Sequence, residues 1–390
     1  MSHHVLTILI LFFVFNSCSK ENDFTLHPLP DNMPHADDDS EILDIQSISE
    51  SDSSPPQSLK LLQDFLNDES KNFKTKKLDI LATDKIDISF LSSTDILVLE
   101  KENNQLIQYN LETDENTVVA SQGRGPGDLL HTQELNVHNK VAYVAMQGFQ
   151  ISVFDCNLRS CEHDNTILTE YNNYSIAAAY KHLFVLGIPP FGRDQDPDPT
   201  NTDQYIIHRF NHSGKKEQSF TPVYRETSPL VRTQMTSGGQ VRSFSQFNMN
   251  IVTFDFFHYL YLYNDEGDLL RKFQIPDLKQ GYYEYKENKG GGFTGRLRYD
   301  DNSKIIRTTN LGDNWLLLII REQRGVEFIN LEEGFKGDEW FSFYAFNIKN
   351  HKLYKIGDDK KFTIGKSRSI QVSEHGIIVN ENGTIFFLSI

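Results

Sequence analysis

Two of the three cysteines stand close enough in the sequence to react with each other. Cys156 and Cys161 flank a four-residue turn that directly follows a strand-like run. An exported protein meets an oxidising compartment, where such pairs form disulfides. We therefore predict a disulfide across this turn, provided that the two Cα atoms come within bridging distance. A zinc site is not expected, because two cysteines without further spaced ligands are too few.

The third cysteine, Cys18, ends the apolar start of the chain. Residues 5–15 are apolar without interruption, a length that suits the core of a signal peptide better than a membrane span. The residues Phe-Asn-Ser-Cys, followed shortly by a lysine and an acidic residue, resemble the signal of Bacteroidetes lipoproteins. The resemblance implies that residues 1–17 are removed and that Cys18 carries acyl chains such as palmitate. It also implies a lipoprotein of the outer membrane, periplasmic or surface-exposed; the alternative is a plain secretory signal peptide with an incidental cysteine.

The segment after Cys18 is strongly acidic. Residues 21–59 hold ten acidic residues and neither lysine nor arginine, in a chain of 390 residues whose formal net charge is −16. Low hydrophobicity combined with high charge predicts that residues 18–58 form a disordered tether. The acidic balance also argues against nucleic-acid binding, which needs clustered basic residues.

No short motif in the sequence predicts a catalytic or metal-binding residue. Residues 194–199 resemble the first half of a calcium loop, but Pro199 replaces the required glycine and Tyr205 stands where the closing glutamate belongs. The 13 histidines are scattered, without a helical His-x-x-x-His pattern, and no Gly-x-Ser-x-Gly elbow occurs. A divalent cation held by residues from several repeats would leave no linear motif, so that alternative stays open.

Three tyrosines form the most conspicuous aromatic cluster. Tyr282, Tyr283 and Tyr285 stand beside a glycine-rich turn and Arg296, between two strand-like runs. Tyrosine and arginine on a loop suit contacts with sugars or peptides, so these residues form our candidate ligand loop. The alternative is a hairpin that packs its aromatic rings on a neighbouring sheet.

A glycine-rich segment precedes the cysteine pair. Gly123, Gly125, Pro126 and Gly127 are followed by Asp128, not by the Lys-Ser/Thr pair that a phosphate-binding P-loop requires. Glycine allows unusual backbone angles and proline fixes one, so the segment is predicted to be a connector between repeats.

The stretch 122–155 resembles one repeat of the NHL-type β-propellers. The glycine-rich connector fits the first part of that family's pattern, and residues 143–145 and 151–154 fit its two apolar strands. The family's Asp and Arg between those strands are absent, with Met146 and Gln150 near their places. The resemblance therefore implies the fold and carries over no binding role.

The remainder of the chain repeats a pattern of strand, turn, strand, Asp-x-x-Gly hairpin and strand. Its period of about 40–60 residues lies in the range of propeller blades. We predict an all-β domain over residues 59–390, a six-bladed β-propeller of four-stranded antiparallel blades, similar to NHL and TolB-like proteins. A short amphipathic helix at residues 59–65 would precede the blades, and a strand at 76–80 would close the ring. Tandem β-sandwiches and an open solenoid are the alternatives.

The function expected from this architecture is binding. A rigid ring that presents loops suits a scaffold for a peptide, a glycan or a partner protein. Propellers also hold metal-dependent hydrolases and lyases, with a divalent cation in the central channel, and this is the alternative. An envelope transport component, recognisable by a large apolar surface patch, is a third hypothesis.

Overall fold

The computed structural model is an almost entirely β-structured wheel. The residues that the structure describes are 25–28, 40–47, 55–67, 74–80, 85–157, 160–188, 205–222, 238–255, 257–279, 282–287, 293–298, 303–312, 314–330, 334–363, 368–373, 375–381 and 384–389. Six antiparallel sheets form the six predicted blades. Among the described residues no helix has the length and apolar character needed to cross a membrane.

The first three blades are regular four-stranded sheets whose strands run in sequence order from the centre of the wheel outwards. Blade 1 consists of Ile86–Phe90, Asp95–Glu100, Gln105–Asn110 and Asn116–Ala120. Blade 2 consists of Thr132–His138, Val141–Met146, Gln150–Asp155 and Glu162–Leu168. Blade 3 consists of Asn172–Ala178, His182–Ile188, Tyr205–Asn211 and Lys216–Pro222.

The last three blades recruit strands from elsewhere in the chain. Blade 4 consists of Gln240–Phe244, Met249–Thr253, Tyr259–Asn264, Leu269–Gln274 and the added edge strand Glu41–Ile42. Blade 5 consists of Ser303–Leu311, Trp315–Asn330, Gly334–Asn347, Lys352–Lys355, the added edge strand Ile45–Ser47, and Lys360–Thr363, which pairs with the third strand. Blade 6 consists of Arg368–Ser373, Gly376–Glu381, Thr384–Ser389 and Lys74–Leu78.

The ring closes by pairing the two ends of the domain. Lys74–Leu78 lies antiparallel to the last strand, with Leu78 opposite Ile385. The predicted closure by an early strand is therefore confirmed, with bounds two residues earlier than expected. Each inner strand contacts the next around the whole circle, including those of blades 6 and 1. Closure gives every blade a neighbour on both sides, so the faces of all six sheets are covered.

The core lies between neighbouring blades and follows from strand alternation. In the second strand of blade 1, Leu97 and Leu99 pack on blade 2, whereas Ile96 and Val98 pack on blade 6. Successive side chains of a strand point to opposite faces, so a continuous apolar run indicates a sheet buried on both sides. Each blade therefore packs with both faces on its two neighbours.

The N-terminal segment is more ordered than its composition predicts. Glu41–Ile42 pairs in parallel with the outer strand of blade 4, and Ile45–Ser47 pairs in parallel with the outer strand of blade 5. Between them Leu43 is buried in the core that these two blades share. The prediction of a disordered tether over 18–58 is therefore wrong for residues 40–47, and also for the strand Thr25–Pro28 and the residues from Gln57 onwards, where a helix begins. A few apolar residues suffice to hold a short edge strand, although the average composition of the segment is polar and acidic.

The predicted amphipathic helix is present and spans Gln57–Leu66. Leu59, Leu61, Leu62 and Leu66 are buried in the core formed with blades 5 and 6. Spacings of three and four residues put these side chains on one side of a helix. The helix therefore covers the contact between blades 5 and 6, next to the closing strand.

The direction of the strands gives the wheel two different faces. The face on which the inner strands end, which we call the rim face, carries the hairpins between the first and second strands of every blade. The connections between blades lie on the opposite face. The longest of these that the structure describes contains the hairpin Tyr282–Glu287 and Phe293–Arg298, to which Thr25–Pro28 adds a third strand.

Candidate ligand-binding site in the central channel

A cavity of about 520 Å³ occupies the channel at the rim face and is lined by the inner strands of all six blades. We call it the channel cavity. Its deeper part, the floor, is formed by Asp87, Glu134, Arg242, Arg307 and Gln371. Its outer part, the rim, includes Phe90, His138, Asn139, Phe244, Gln246 and His375. The volume lies within the range of about 300–1,000 Å³ that is usual for small-molecule sites.

The floor is crossed by a repeated hydrogen bond between blades. In each case a side-chain oxygen accepts from the backbone N–H of the next inner strand: Gln371 Oε1 from Ile88 (2.8 Å), Asp87 Oδ2 from Leu135 (3.0 Å), Glu134 Oε2 from Ile176 (2.8 Å), Ser175 Oγ from Val241 (3.1 Å) and Gln240 Oε1 from Thr308 (2.7 Å). We call these five side chains the acceptor ring. They occupy equivalent positions, one per blade, and satisfy amides that would otherwise face the channel unpaired.

The sixth position of the ring, on blade 5, holds Arg307. A guanidinium has donors and no acceptor, so it cannot bond the next amide in the same way. Arg307 Nη2 instead donates to Asp87 Oδ1 across the channel, while Lys101 Nζ lies 3.9 Å from Asp87 Oδ2. Burial alone would raise the pKa of Asp87, but the charges of Arg307 and Lys101 and its hydrogen bonds hold that pKa below its ordinary value. Asp87 is therefore ionised at neutral pH.

A second ion pair completes the floor. Arg242 Nη2 lies 2.6 Å from Glu134 Oε1, and both side chains are largely buried. The same guanidinium donates from Nε to the carbonyl of Thr308 (2.9 Å) and from Nη1 to the carbonyl of Val241 (2.7 Å). The positive and negative charges of the floor are thus paired with each other, and the cavity wall is close to neutral.

The rim differs from the floor in exposure and in bonding. His138 is half-buried, and burial and the nearby His212 lower its pKa, so the ring is neutral at pH 7. Its Nε2 lies 3.1 Å from the side-chain nitrogen Nδ2 of Asn139. Asn139 is exposed. On the adjoining blades 1 and 6, the rings of Phe90 and His375 lie 5.4 Å apart between centroids. The rim therefore presents neutral polar and aromatic groups.

A smaller pocket of about 270 Å³ opens beside the cavity on the same face. It is lined by Ala179, Tyr180, Lys181, Ser245, Gln246, Asn248 and Asp265. Ser245 and Gln246 line both spaces, so the two are neighbours across one short turn. The side chain of Tyr180 stands at this side pocket and is 74% exposed, while its backbone N–H bonds Ser245 Oγ at 3.2 Å.

The channel was also considered as a possible metal site. Among the residues that the structure describes, no group of three or more His, Cys, Asp or Glu side chains converges in a way that could hold a metal ion. The two carboxylates of the channel, Asp87 and Glu134, are already engaged by Arg307 and Arg242.

The residues singled out from the sequence lie away from the channel cavity. Cys156 and Cys161 form a disulfide at the turn between the third and fourth strands of blade 2, with Cα atoms 4.0 Å apart. Gly123, Gly125, Pro126 and Gly127 lie in the connector between blades 1 and 2, where the Gly125 N–H bonds Asp128 Oδ2 (2.7 Å) and Gly127 has a φ of +81°. This left-handed angle favours glycine and accounts for one residue of the motif.

Tyr282, Tyr283, Tyr285 and Arg296 lie on strands, not on a loop. In the hairpin of the connection between blades 4 and 5, Tyr283 is opposite Leu297 and Tyr285 is opposite Gly295. Tyrosine favours strands, so the tyrosine-rich residues form a strand. The glycine-rich turn on which the prediction of a loop rested only connects it to the next strand. Cys18 and the segment 194–199 lie outside the described residues.

The acceptor ring was missed by the sequence reasoning, although it leaves a weak signal. Asp87, Ser175 and Gln371 are each followed by Ile or Val within an inner strand, and a single polar residue there resembles ordinary alternation. The bond partner lies in another blade; for Gln371 and Ile88 the separation is 283 residues. Only the closed ring brings them together.

Comparison with known proteins supports the fold alone. No family model and no curated protein sequence matches the chain. Among solved structures, it is similar to a DUF4221 family member from Bacteroides vulgatus, with a TM-score of 0.52, 10% identity, and coverage of 82% of this chain and 96% of the other. A protein of Bacteroides fragilis described as exported gives a TM-score of 0.49 and 11% identity over 82% and 95%. The WD40 β-propeller domain of Doa1 gives 0.44 and 10% over 82% and 97%.

Proposed function

We propose that the protein is a binding module of the cell envelope, anchored through Cys18, that takes its ligand in the channel cavity from the rim face. The observation that carries this proposal is the contrast within the channel. The polar groups of the floor are bonded across the ring, yet above them all six blades surround a space of about 520 Å³ that opens to the surface. A rigid concave site with neutral polar and aromatic groups suits recognition of a peptide, a glycan or a segment of a partner protein.

Binding is favoured over hydrolysis or elimination because the deep carboxylates are engaged. A carboxylate that acts as a general base or metal ligand must be able to reach the substrate, whereas both Asp87 and Glu134 are held by an arginine and a backbone amide. The described rim residues include histidines, amides and aromatic rings, which can all contact a bound ligand.

A bulky side chain at the rim provides the test. Gln246 is exposed on the turn that separates the channel cavity from the side pocket, so Gln246→Trp is expected to obstruct both without disturbing the core. Thermal shift with the full chain would be run against sets of peptides and oligosaccharides. A ligand at 100 times its Kd adds about 2.7 kcal/mol to the free energy of unfolding, which gives a clear shift.

The matched control is Val118→Trp, on the outer strand of blade 1, where Val118 is 50% exposed. We expect every ligand-induced shift to be lost in Gln246→Trp and retained in Val118→Trp. A ligand that stabilises both variants equally would place binding elsewhere and refute the proposal.

The anchor has its own test. The cell that produces the protein is expected to incorporate labelled palmitate into the chain and to retain it in the membrane fraction. Cys18→Ser should abolish both, whereas Ser19→Ala should change neither. Incorporation into Cys18→Ser would show that the cysteine is not the acceptor, and release of the unsubstituted chain into the soluble fraction would indicate a plain secretory signal.

A further inference from the structure

The channel cavity and the side pocket together form a path across the rim face, and its chemistry is uniform. We propose that this path binds a neutral oligosaccharide that is long enough to reach from the channel cavity to the side pocket. The inference rests on the proposed binding role of the channel and deepens it. It follows from the charge, the hydrogen-bonding groups and the exposed aromatic ring along the path.

Charge is balanced at every step of this path. In the channel cavity the carboxylates of Asp87 and Glu134 are paired with Arg307 and Arg242. In the side pocket one lysine, Lys181, and one aspartate, Asp265, are the charged lining residues. A wall without net charge has no electrostatic preference for an anionic or cationic ligand, whereas binding a charged ligand would require desolvating it without compensation.

The remaining polar groups suit hydroxyls. Asn139, Thr309, Asn310, Ser373 and Gln246 line the channel cavity, and carboxamides and hydroxyls each both donate and accept. Side chains of this kind on several blades can bond the hydroxyls of one guest from different sides of the cavity.

The far end of the path is an exposed tyrosine. Tyr180 is 74% exposed at the side pocket, next to lining residues that carry amide and charged groups. An aromatic ring presents an apolar face, against which the C–H face of a sugar ring can pack while its hydroxyls bond polar neighbours. The backbone N–H of Tyr180 bonds Ser245 Oγ, which places the residue at the edge of the side pocket.

A peptide fits this path less well. An extended peptide gains affinity by adding to the free edge of a sheet through backbone hydrogen bonds. The edges that face the channel are those of the inner strands, and at Ile88, Leu135, Ile176, Val241 and Thr308 the amide is already bonded to the acceptor ring. Strand addition is thus blocked at five of the inner-strand positions where a peptide would bond.

The experiment is isothermal titration of the full chain with neutral mannose, xylose and glucose oligosaccharides of two to six units. Uronate-containing oligosaccharides and neutral decapeptides serve as comparison ligands. We expect at least one neutral series to bind, with an increase in affinity of about tenfold once the chain is long enough to reach Tyr180. Tyr180→Ala should remove this increase, whereas Tyr180→Phe, which keeps the ring, should retain it. Tyr205→Ala, at an exposed tyrosine on the opposite face, is the matched control and should change nothing.

The outcomes separate this inference from the proposed binding role. If only uronate oligosaccharides or decapeptides bind, and Gln246→Trp abolishes that binding, the channel is a binding site but not for neutral sugars, and the inference is wrong. If neutral oligosaccharides bind with the same affinity to Tyr180→Ala, the path does not extend to the side pocket and the inference is likewise wrong. Binding that Gln246→Trp leaves unchanged, or no binding of any class, would overturn both.

Discussion

The floor and the rim of the channel belong to the same blades, yet their polar residues differ in burial and in hydrogen bonding. On the floor, Asp87, Glu134 and Arg242 bond to other blades and are largely buried. On the rim, Asn139 and Gln246 are exposed; Asn139 bonds the adjacent His138, and Gln246 bonds Asn314 on a turn of blade 5. Polar side chains that face a propeller channel are therefore not functional by position alone. Substitutions on the floor should affect stability, and substitutions on the rim should affect binding.

The largest effect is expected on the floor at Arg242. In Arg242→Met the carboxylate of Glu134 loses its cation, and the carbonyls of Thr308 and Val241 lose a donor. Breaking a buried pair by removing one partner destabilises proteins by about 3–5 kcal/mol. Urea unfolding at pH 7 should show a loss of this order in the free energy of unfolding.

The companion variant Glu134→Gln makes this prediction specific. A glutamine keeps an oxygen that can accept from the Ile176 N–H but carries no charge. The double variant Arg242→Met/Glu134→Gln should therefore recover part of the loss, because no buried charge is left unpaired. If the double variant is as unstable as the sum of the two single variants, the pair does not act as a unit.

The next effect concerns two histidines, one interior and one on the rim. Burial lowers the pKa of His208 to about 3, with Nδ1 2.8 Å from Ser219 Oγ and Nε2 3.1 Å from the carbonyl of Gly187. Its pKa in the unfolded chain is about 6.5, so the stability that the neutral ring contributes is complete above this pH. It is lost as the pH falls from 6.5 towards 3, by about 2 kcal/mol at pH 5.

Denaturant unfolding at pH 7 and pH 5 separates the two residues. His208→Gln should be less stable at pH 7 but should lose less on acidification than the unsubstituted chain. His138→Gln is the matched rim variant: the pKa of His138 is also lowered, but the side chain is half exposed and solvent screens its contribution. If His208→Gln and His138→Gln reduce the loss of unfolding free energy between pH 7 and pH 5 by the same amount, the two histidines do not differ electrostatically.

These contrasts also explain which parts of the molecule the sequence predicts. The run from Ile96 to Leu99 indicates a doubly covered strand because the signal lies within the strand itself. Closure by residues 74–78 was predictable because the last repeat lacks its outer strand. The helix Gln57–Leu66 follows from its leucine spacing for the same local reason.

The candidate site was not predictable in this way. Every bond of the acceptor ring joins residues of different blades, and the channel cavity exists only once six inner strands surround it. The edge strand Ile45–Ser47 is held by parallel pairing with residues about 300 positions away, so its short apolar signal is lost in an acidic segment. Neighbouring residues in the sequence predict single strands and helices, whereas the channel cavity forms only when the ring of blades closes.

A smaller effect is expected from the neutral members of the acceptor ring. Gln371→Ala leaves the Ile88 N–H without its acceptor inside the channel wall, which should cost about 1–2 kcal/mol. Native-state hydrogen exchange should show faster exchange of the Ile88 amide in particular. Gln133→Ala is the control, because Gln133 also lies on an inner strand but bonds only the neighbouring carbonyl of His131. An unchanged Ile88 amide would contradict the ring.

The smallest effect on stability is expected at the rim. Tyr180→Ala removes a side chain that is 74% exposed, and the bond to Ser245 Oγ comes from the backbone N–H, which alanine retains. The free energy of unfolding should change by less than about 0.5 kcal/mol, the usual range for surface substitutions. A loss above about 1 kcal/mol in urea unfolding would mean that the tyrosine ring supports the fold. Because the tyrosine is exposed at the side pocket, a null result for stability would agree with a role of its ring in ligand binding and not in folding.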